Sequence, residues 1–339
     1  MGRQNPTRQR LAAAGAPRPG AGAPRPDPDG HPVSPAVSVI LVSSQTRDRT
    51  VACLRTLSAR SPGMGRPAEA DAVGYGVIVV DNASTDGSAD AVRAACPAAR
   101  VIEMPANVGF GWAVNAGAAL ARAPYLLLLN PETLPVGDIV GDLLRFARQR
   151  PGHGIYSGRT RRPDGSDEAG SSFGAPTLWD HLCFATGLST MFPRAGCVAL
   201  IDRELFRRLG GFDPRYLMYG EHVDLGLRAR AAGARPICHP AASVLHANGA
   251  SSTVAAKRVM VLRAKSTLVH VHWSPRRART AIALLQCGVA ARALGTVALR
   301  RLGRGDETWI EAWRQRSVWS AGWAQQHQSV TSASFVTPE

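Results

Sequence analysis

The sequence has no Cys-x-x-Cys pair and no clustered set of histidine and cysteine ligands, which argues against a structural zinc site. Its six cysteines, Cys53, Cys96, Cys183, Cys197, Cys238 and Cys287, are irregularly spaced along 339 residues. That spacing in a long chain reads as reduced thiols of a cytosolic protein rather than a disulfide framework. No stretch of 18 clean apolar residues appears, so a membrane-spanning helix is not expected. The N-terminus lacks the apolar segment of a signal peptide. Residues 1–35 are instead rich in Pro, Arg and Gly and read as a disordered arm. No internal repeat and no recognisable nucleic-acid-reading module are present.

What is present is a 45% apolar fraction, enough for a sizeable core, and a net charge of +15. The charge is unevenly placed. Residues 36–254 carry 22 basic and 19 acidic side chains, whereas 255–339 carry 13 and 4. A nucleic-acid-binding module would show its basic face within the folded domain, so no nucleic-acid partner is expected. A basic, apolar-rich tail suits the anionic surface of a membrane. Within it, Arg276, Arg277 and Arg279 precede a mostly apolar stretch that ends at Arg300 and Arg301. Glycines, Gln286 and Arg292 inside that stretch favour a helix lying in the interface or packed on the domain.

Hydrophobic periodicity places strands at 37–42, 76–80, 101–104 and 125–129, with helices at 49–60, 86–95, 110–122 and 137–149. The strict alternation predicts an α/β domain with a parallel, doubly wound sheet. Ligands of such sheets bind beyond the carboxyl ends of the strands, where Asp81 and Asn130 fall. After Pro151 the alternation fades. A turn is expected at 162–165, loop at 170–195, a strand at 197–201 and a short helix at 203–209. A helix at 221–232 and short strands at 236–238 and 243–246 follow. Beyond Ser252 the chain reads as helical and basic.

Five motifs carry candidate chemistry. Residues 79–88 (Val-Val-Asp-Asn-Ala-Ser-Thr-Asp-Gly-Ser) deliver the Asp81 carboxylate from a buried strand into the crevice, where it can accept hydrogen bonds from a nucleobase or ribose. Ser84, Thr85 or Asp86 can cap the helix that follows. Residues 107–117 (Asn-Val-Gly-Phe-Gly-Trp-Ala-Val-Asn-Ala-Gly) open a helix with glycines, which serve either a bound diphosphate or close packing. Four leucines then lead into Asn130-Pro131-Glu132-Thr133, whose oxygens suit a divalent ion bridging a sugar diphosphate, or simply make a solvated turn. Residues 210–230 run from Gly-Gly-Phe-Asp through aromatics into a helix that begins Glu221-His222-Val223-Asp224. Glu221 or His222 can remove a proton from an acceptor hydroxyl, while acids at a helix start also suit the helix dipole. Last comes His246, followed by Gly249.

Taken in order, these motifs over about residues 36–252 resemble glycosyltransferase family 2, within it the rhamnosyltransferase-like enzymes. The resemblance implies the GT-A fold, a Rossmann-like nucleotide-binding sheet (36–150) merged with an acceptor-binding half (151–252), with residues 253–339 a helical basic C-terminal extension. It further implies a nucleoside-diphosphate sugar donor, rhamnose-like by the branch it resembles with UDP-sugars left open, a Mg or Mn ion, and single-displacement transfer with inversion. By motif match Ser43, Asp81, Asn107, Asn130 and Glu132 line the donor, and Glu132 with His246 holds the metal. The resemblance implies a glycan or polyprenyl-linked acceptor as partner and a cytoplasmic protein at the inner face of the cell membrane, touching it through the C-terminal basic segment.

Three positions depart from the family pattern. The usual Thr-Tyr-Asn after the first strand is Ser43-Ser44-Gln45, the usual Asp at 132 is Glu, and the usual Glu-Asp is Glu221-His222. The family's base sits at the second position of that pair. An imidazole ordinarily titrates near pH ~6.5 and accepts a proton at neutral pH. Three outcomes therefore stand: His222 is the base, Glu221 is the base, or the chain binds nucleotide sugars without turnover.

Overall fold

A computed structural model describes residues 35–66, 73–167, 197–246, 254–300 and 305–323. The expected N-terminal arm, the loop at 170–195 and residues 247–249 of the last motif lie outside the described residues.

Eight strands form one sheet in the order β3-β2-β1-β4-β7-β6-β8-β5. They are β1 (Val37–Ser43), β2 (Tyr75–Asp81), β3 (Ala99–Glu103), β4 (Tyr125–Leu129), β5 (Thr133–Val136), β6 (Ile155–Arg161), β7 (Val198–Asp202) and β8 (Ile237–His246). The first four are mutually parallel, as their alternation with helices requires. The second half of the sheet is mixed: β7 runs antiparallel to β4 and β6, β8 parallel to β6, and β5 antiparallel to β8. The parallel sheet expected from periodicity thus extends only to β4.

Residues of β1 alternate between two cores. Val37, Val39 and Leu41 face α1 (Arg47–Arg60), α2 (Ser88–Ala95) and α4 (Ile139–Gln149). Ile40 and Val42 face α3 (Phe110–Leu120), α5 (Arg203–Arg208) and α6 (Glu221–Ala231). Burial on both faces is why β1, β2 and β4 read as unbroken apolar runs. Two helices start on aspartate caps: Asp138 accepts from the Gly141 amide at 3.0 Å and Asp202 from Leu205 at 2.8 Å.

Two differences from the expected elements matter. Thr133–Val136, expected as the end of a turn, is β5; it pairs with β8, so Thr133 lies opposite His246. The two short strands expected at 236–238 and 243–246 are one strand with a register shift opposite Ser157–Arg159. Pro240 interrupted the pattern because it sits where that shift falls.

The C-terminal part is helical as expected: α7 (Val254–His272), α8 (Pro275–Leu299), α9 (Thr308–Arg314) and α10 (Arg316–Ser320). Val259, Leu262, Leu285, Val289, Ala312 and Trp319 make its own small core. α8 is long and apolar enough to cross a membrane by length and composition alone. Ala281, Leu285, Gly288 and Val289 of the same helix are nevertheless buried against protein.

Candidate active site

Asp81 ends β2 with only 3% of its surface exposed. Its Oδ2 accepts from the Ser84 amide at 3.1 Å, while Oδ1 is buried with no partner among the described residues. A buried carboxylate oxygen without a donor marks a place for a ligand's N–H or O–H. The turn beyond it is held by its own side chains. Asp86 accepts from the Ser88 amide and hydroxyl, and from the Arg47 amide at 3.0 Å, which ties α1 to α2. Those bonds outweigh the desolvation that raises a carboxyl pKa and hold Asp86 below the usual carboxylate range.

Asn107 and Asn82 form an amide pair. Asn82 donates Nδ2 to Asn107 Oδ1 at 3.0 Å and accepts from the Val108 amide, and Asn107 donates to the Ser44 hydroxyl at 3.3 Å. This fixes the chain entering α3 against the ends of β1 and β2. Ser43 is turned inward: its hydroxyl lies 3.1 Å from those of Thr46 and Thr50, and the residue is fully buried.

The glycines of 107–117 are packing positions. A Cβ at Gly109 would stand 2.3 Å from the Leu217 carbonyl oxygen, one at Gly111 3.0 Å from Phe212, and one at Gly117 2.9 Å from Ile40. Asn115 grips the backbone of Phe212 from both sides, donating to its carbonyl at 2.8 Å and accepting from its amide at 2.9 Å. The amide of Phe110 donates to Leu217. Together these contacts bind α3, which packs on the parallel half of the sheet, to the segment that leads into α6.

At the start of α6, Glu221 Oε1 lies 3.1 Å from His222 Nδ1, and the other oxygen, Oε2, is buried without a partner among the described residues. The His222 ring packs against both Phe110 and Phe212, with centroids 5.2 and 5.1 Å away, and the two phenyl rings also touch each other at 6.0 Å. The pair is thus a carboxylate holding one imidazole nitrogen while aromatic faces fix the ring. Gly111 brings this pair to the mouth of α3: its added Cβ would lie 3.9 Å from that of Glu221.

The third strand end is built differently. Asn130 Oδ1 accepts from the Glu132 amide at 3.3 Å, and its carbonyl accepts from the Thr133 hydroxyl at 2.6 Å. Glu132 points between Arg49 and His246: Oε1 pairs with the Arg49 guanidinium of α1, and Oε2 lies 3.8 Å from His246 Nε2. Sequence reasoning missed Arg49, since nothing in the chain marks a first-turn helical arginine as reaching a residue 83 positions on. It also missed Asn115 and the two phenylalanines as a frame for His222, although all three lie in quoted motifs.

The profile of the family described as glycosyl transferase family 2 matches residues 38–210. The chain belongs to that family. An N-acetylglucosaminyl-diphospho-decaprenol L-rhamnosyltransferase of Mycobacterium tuberculosis is 32% identical over 203 residues, covering 50% of this chain and 66% of the relative. The O-antigen biosynthesis protein RfbC of Myxococcus xanthus is 29% identical over 194 residues, 52% of this chain but 15% of that protein. The match thus spans just under two thirds of the first of these curated relatives. Among solved structures, the mannosyltransferase PcManGT of Pyrobaculum calidifontis, in complex with GDP-Man and Mn2+, shares the fold with a TM-score of 0.54 at 18% identity. It covers 97% of this chain and 93% of its own. Glucosyl-3-phosphoglycerate synthase of M. tuberculosis, with Mn2+ and UDP, gives 0.51 at 17% identity over 72% and 78% of the two chains. The GT-A architecture expected from the motifs is therefore the observed one.

A family 2 enzyme of this fold is expected to hold a divalent cation. Glu132 and His246 fit one: donors 3.8 Å apart can share an ion at about 2.1 Å from each. No group of three or more His, Cys, Asp or Glu side chains suited to a metal exists among the described residues. The remaining ligands would thus have to come from elsewhere, as donor phosphates can supply.

Proposed function

We propose that this family 2 protein transfers a sugar, with inversion, from a nucleoside-diphosphate donor to a glycan or polyprenyl-linked acceptor. A rhamnose-like donor is the reading favoured by the named activity of the mycobacterial relative. The carrying observation is the Glu221–His222 pair, a carboxylate-oriented imidazole framed by Phe110 and Phe212 beside the nucleotide half.

In the proposed reaction His222 Nε2 takes the proton of the acceptor hydroxyl while Nδ1–H stays bonded to Glu221, which orients the ring and offsets the imidazolium charge. The acceptor oxygen bonds to the anomeric carbon as the bond from that carbon to the diphosphate oxygen breaks, and the nucleoside diphosphate leaves with the electron pair. Asp81 Oδ1 receives a donor N–H or O–H from the nucleoside. Glu132 and His246 would hold a Mg or Mn ion, which supplies positive charge to the leaving diphosphate.

The exposed side of α8 supports contact with the inner face of the cell membrane. Leu294 is 71% and Val297 56% exposed, and Arg276, Arg277 and Arg300 stand at the ends of the helix.

The test is a thermal-shift screen of nucleotide sugars with Mn, followed by transfer assays to a polyprenyl-linked acceptor. His222→Ala is expected to lower kcat by about 10²–10⁴-fold with nucleotide binding kept. Parent-like turnover in that variant refutes His222 as the base. Donor binding with no turnover in the parent identifies a nucleotide-sugar-binding protein without catalysis.

A further inference from the structure

Asp224 lies one turn beyond Glu221 and is fully buried. Its Oδ2 accepts from Arg228 Nε and Nη2 at 2.8 and 2.6 Å. Arg228 also donates to the carbonyls of Leu209 at 2.8 Å and Gly211 at 2.9 Å, so this one side chain ties α6 to the glycine turn before Phe212. The other carboxylate oxygen, Oδ1, is 2.8 Å from His272 Nε2. His272 is the last residue of α7, so the third hold on Asp224 comes from the C-terminal helices, 48 residues away in sequence.

The contact is one of several by which α7 covers the same segment. Tyr216 is fully buried in a cluster with Leu268 and Trp323. Gly220, at φ +84°, lies so close to α7 that an added Cβ would be 3.3 Å from Ala264. Trp323 is itself fixed by its amide donating to the Thr267 hydroxyl at 2.7 Å. Phe212, Tyr216 and Gly220 lead directly into Glu221 and His222, and each is pinned by α3 or by α7.

We infer that His272 is a positioning residue for the Glu221–His222 pair: through Asp224 and Arg228 it fixes the start of α6, so the C-terminal helices form part of the catalytic half rather than a separate appendage. This rests on the reading of Glu221 and His222 as the base. The physical ground is that a fully buried carboxylate holds its place only through its donors. With Nε2 of His272 removed, Asp224 keeps Arg228 but loses its direct hydrogen bond to α7, and only the apolar contacts of Tyr216 and Gly220 are left to hold the start of α6 there. A displacement of about 1 Å at reacting groups costs on the order of a hundredfold in rate.

The experiment compares the full-length parent with His272→Ala and His272→Gln, the glutamine amide reaching Asp224 with an N–H donor much as Nε2 does. Hydrogen–deuterium exchange is measured on peptides spanning 216–228 and, as reference, on 37–43 and 125–129. In His272→Ala, exchange is expected to rise at 216–228 and not in the reference strands, with kcat falling about ten- to a hundredfold and the Kd for nucleoside diphosphate unchanged. His272→Gln is expected to restore protection and most of kcat. The inference is overturned if His272→Ala leaves exchange at 216–228 unchanged, or if glutamine restores nothing. Should the alanine variant fail to fold, exchange and turnover in His272→Gln decide: parent-like values support the inference and alanine-like loss of protection overturns it. A parent that transfers no sugar refutes the enzymatic reading alone, because exchange still reports whether His272 orders α6.

Discussion

Gly109→Ala is the substitution whose effect the structure sets most tightly. Gly109 has φ +85° and ψ 166°, a backbone region that residues with a side chain avoid at a cost of about 1–3 kcal/mol. Its Cβ would also stand 2.3 Å from the Leu217 oxygen and 2.9 Å from Leu217 Cδ1, an overlap that only backbone movement relieves, at about 1–3 kcal/mol more. Lower entropy of the unfolded chain returns about 0.4–1 kcal/mol. At the midpoints of these ranges the net loss is about 3 kcal/mol, a large share of the ~5–15 kcal/mol typical of a domain. Gly87 supplies the control. It too has positive φ, at +76°, but nothing lies within 4 Å of an added Cβ, so Gly87→Ala is expected to cost about 1 kcal/mol or less. Urea unfolding followed by tryptophan fluorescence and circular dichroism measures both. If the two variants lie within 1 kcal/mol of each other, the close approach of α3 to the 212–220 segment is not what the structure shows, and the frame drawn for His222 fails with it.

Other outcomes follow from single contacts. Arg49→Ala leaves the Glu132 carboxylate, whose side chain is 14% exposed, without its guanidinium, so a divalent ion gains what the arginine held; the half-saturating Mn concentration for nucleotide binding is expected to fall about 3–10-fold, read by titration calorimetry. Cys53 is buried and its thiol is pushed up to about 12 by that burial, opposed by a hydrogen bond with Thr133, whereas Cys287 is exposed. Brief alkylation of the native protein at pH 8, read by peptide mass spectrometry, should label Cys287 and spare Cys53. Leu294→Glu on the exposed side of α8 is expected to reduce co-sedimentation with phosphatidylglycerol vesicles without changing nucleotide affinity; unchanged sedimentation refutes membrane contact through this helix.

The parallel half of the fold was legible because β1, β2 and β4 are buried on both faces and its helices on one. Tyr125–Leu129 appears just where the leucine run places it. The mixed half was not. β5 is four residues long with alternating burial, and only its pairing with β8, more than a hundred residues on, makes it a strand. Local pattern carries no such information. The same holds at the site. Asp81, Glu132, Glu221 and His222 could be named because an acid at the end of a buried strand, or an unusual residue in a familiar motif, is visible in one dimension. Arg49 and His272 could not, since each acts across a separation that only the fold closes, 83 residues to Glu132 and 48 to Asp224.

The motifs that identify the family are therefore of two physical kinds. Asp81 and Glu221 each carry a buried carboxylate oxygen without a partner among the described residues, an arrangement that costs stability unless a ligand completes it. Asn82, Asn107, Gly109, Gly111 and Asn115 are satisfied within the protein, and their bonds and close approaches join the nucleotide half to the segment carrying Glu221 and His222. Substituting the second kind is expected to shift the Glu221–His222 segment through lost packing and hydrogen bonds. The first kind should respond to ligand and the second should not. A nucleoside diphosphate is then expected to raise the unfolding midpoint of the parent, and to do so less in Asp81→Ala. In Asn115→Ala the midpoint starts lower, having lost both bonds to Phe212, but rises by the parent increment. An unchanged increment in Asp81→Ala would remove that carboxylate from the donor site.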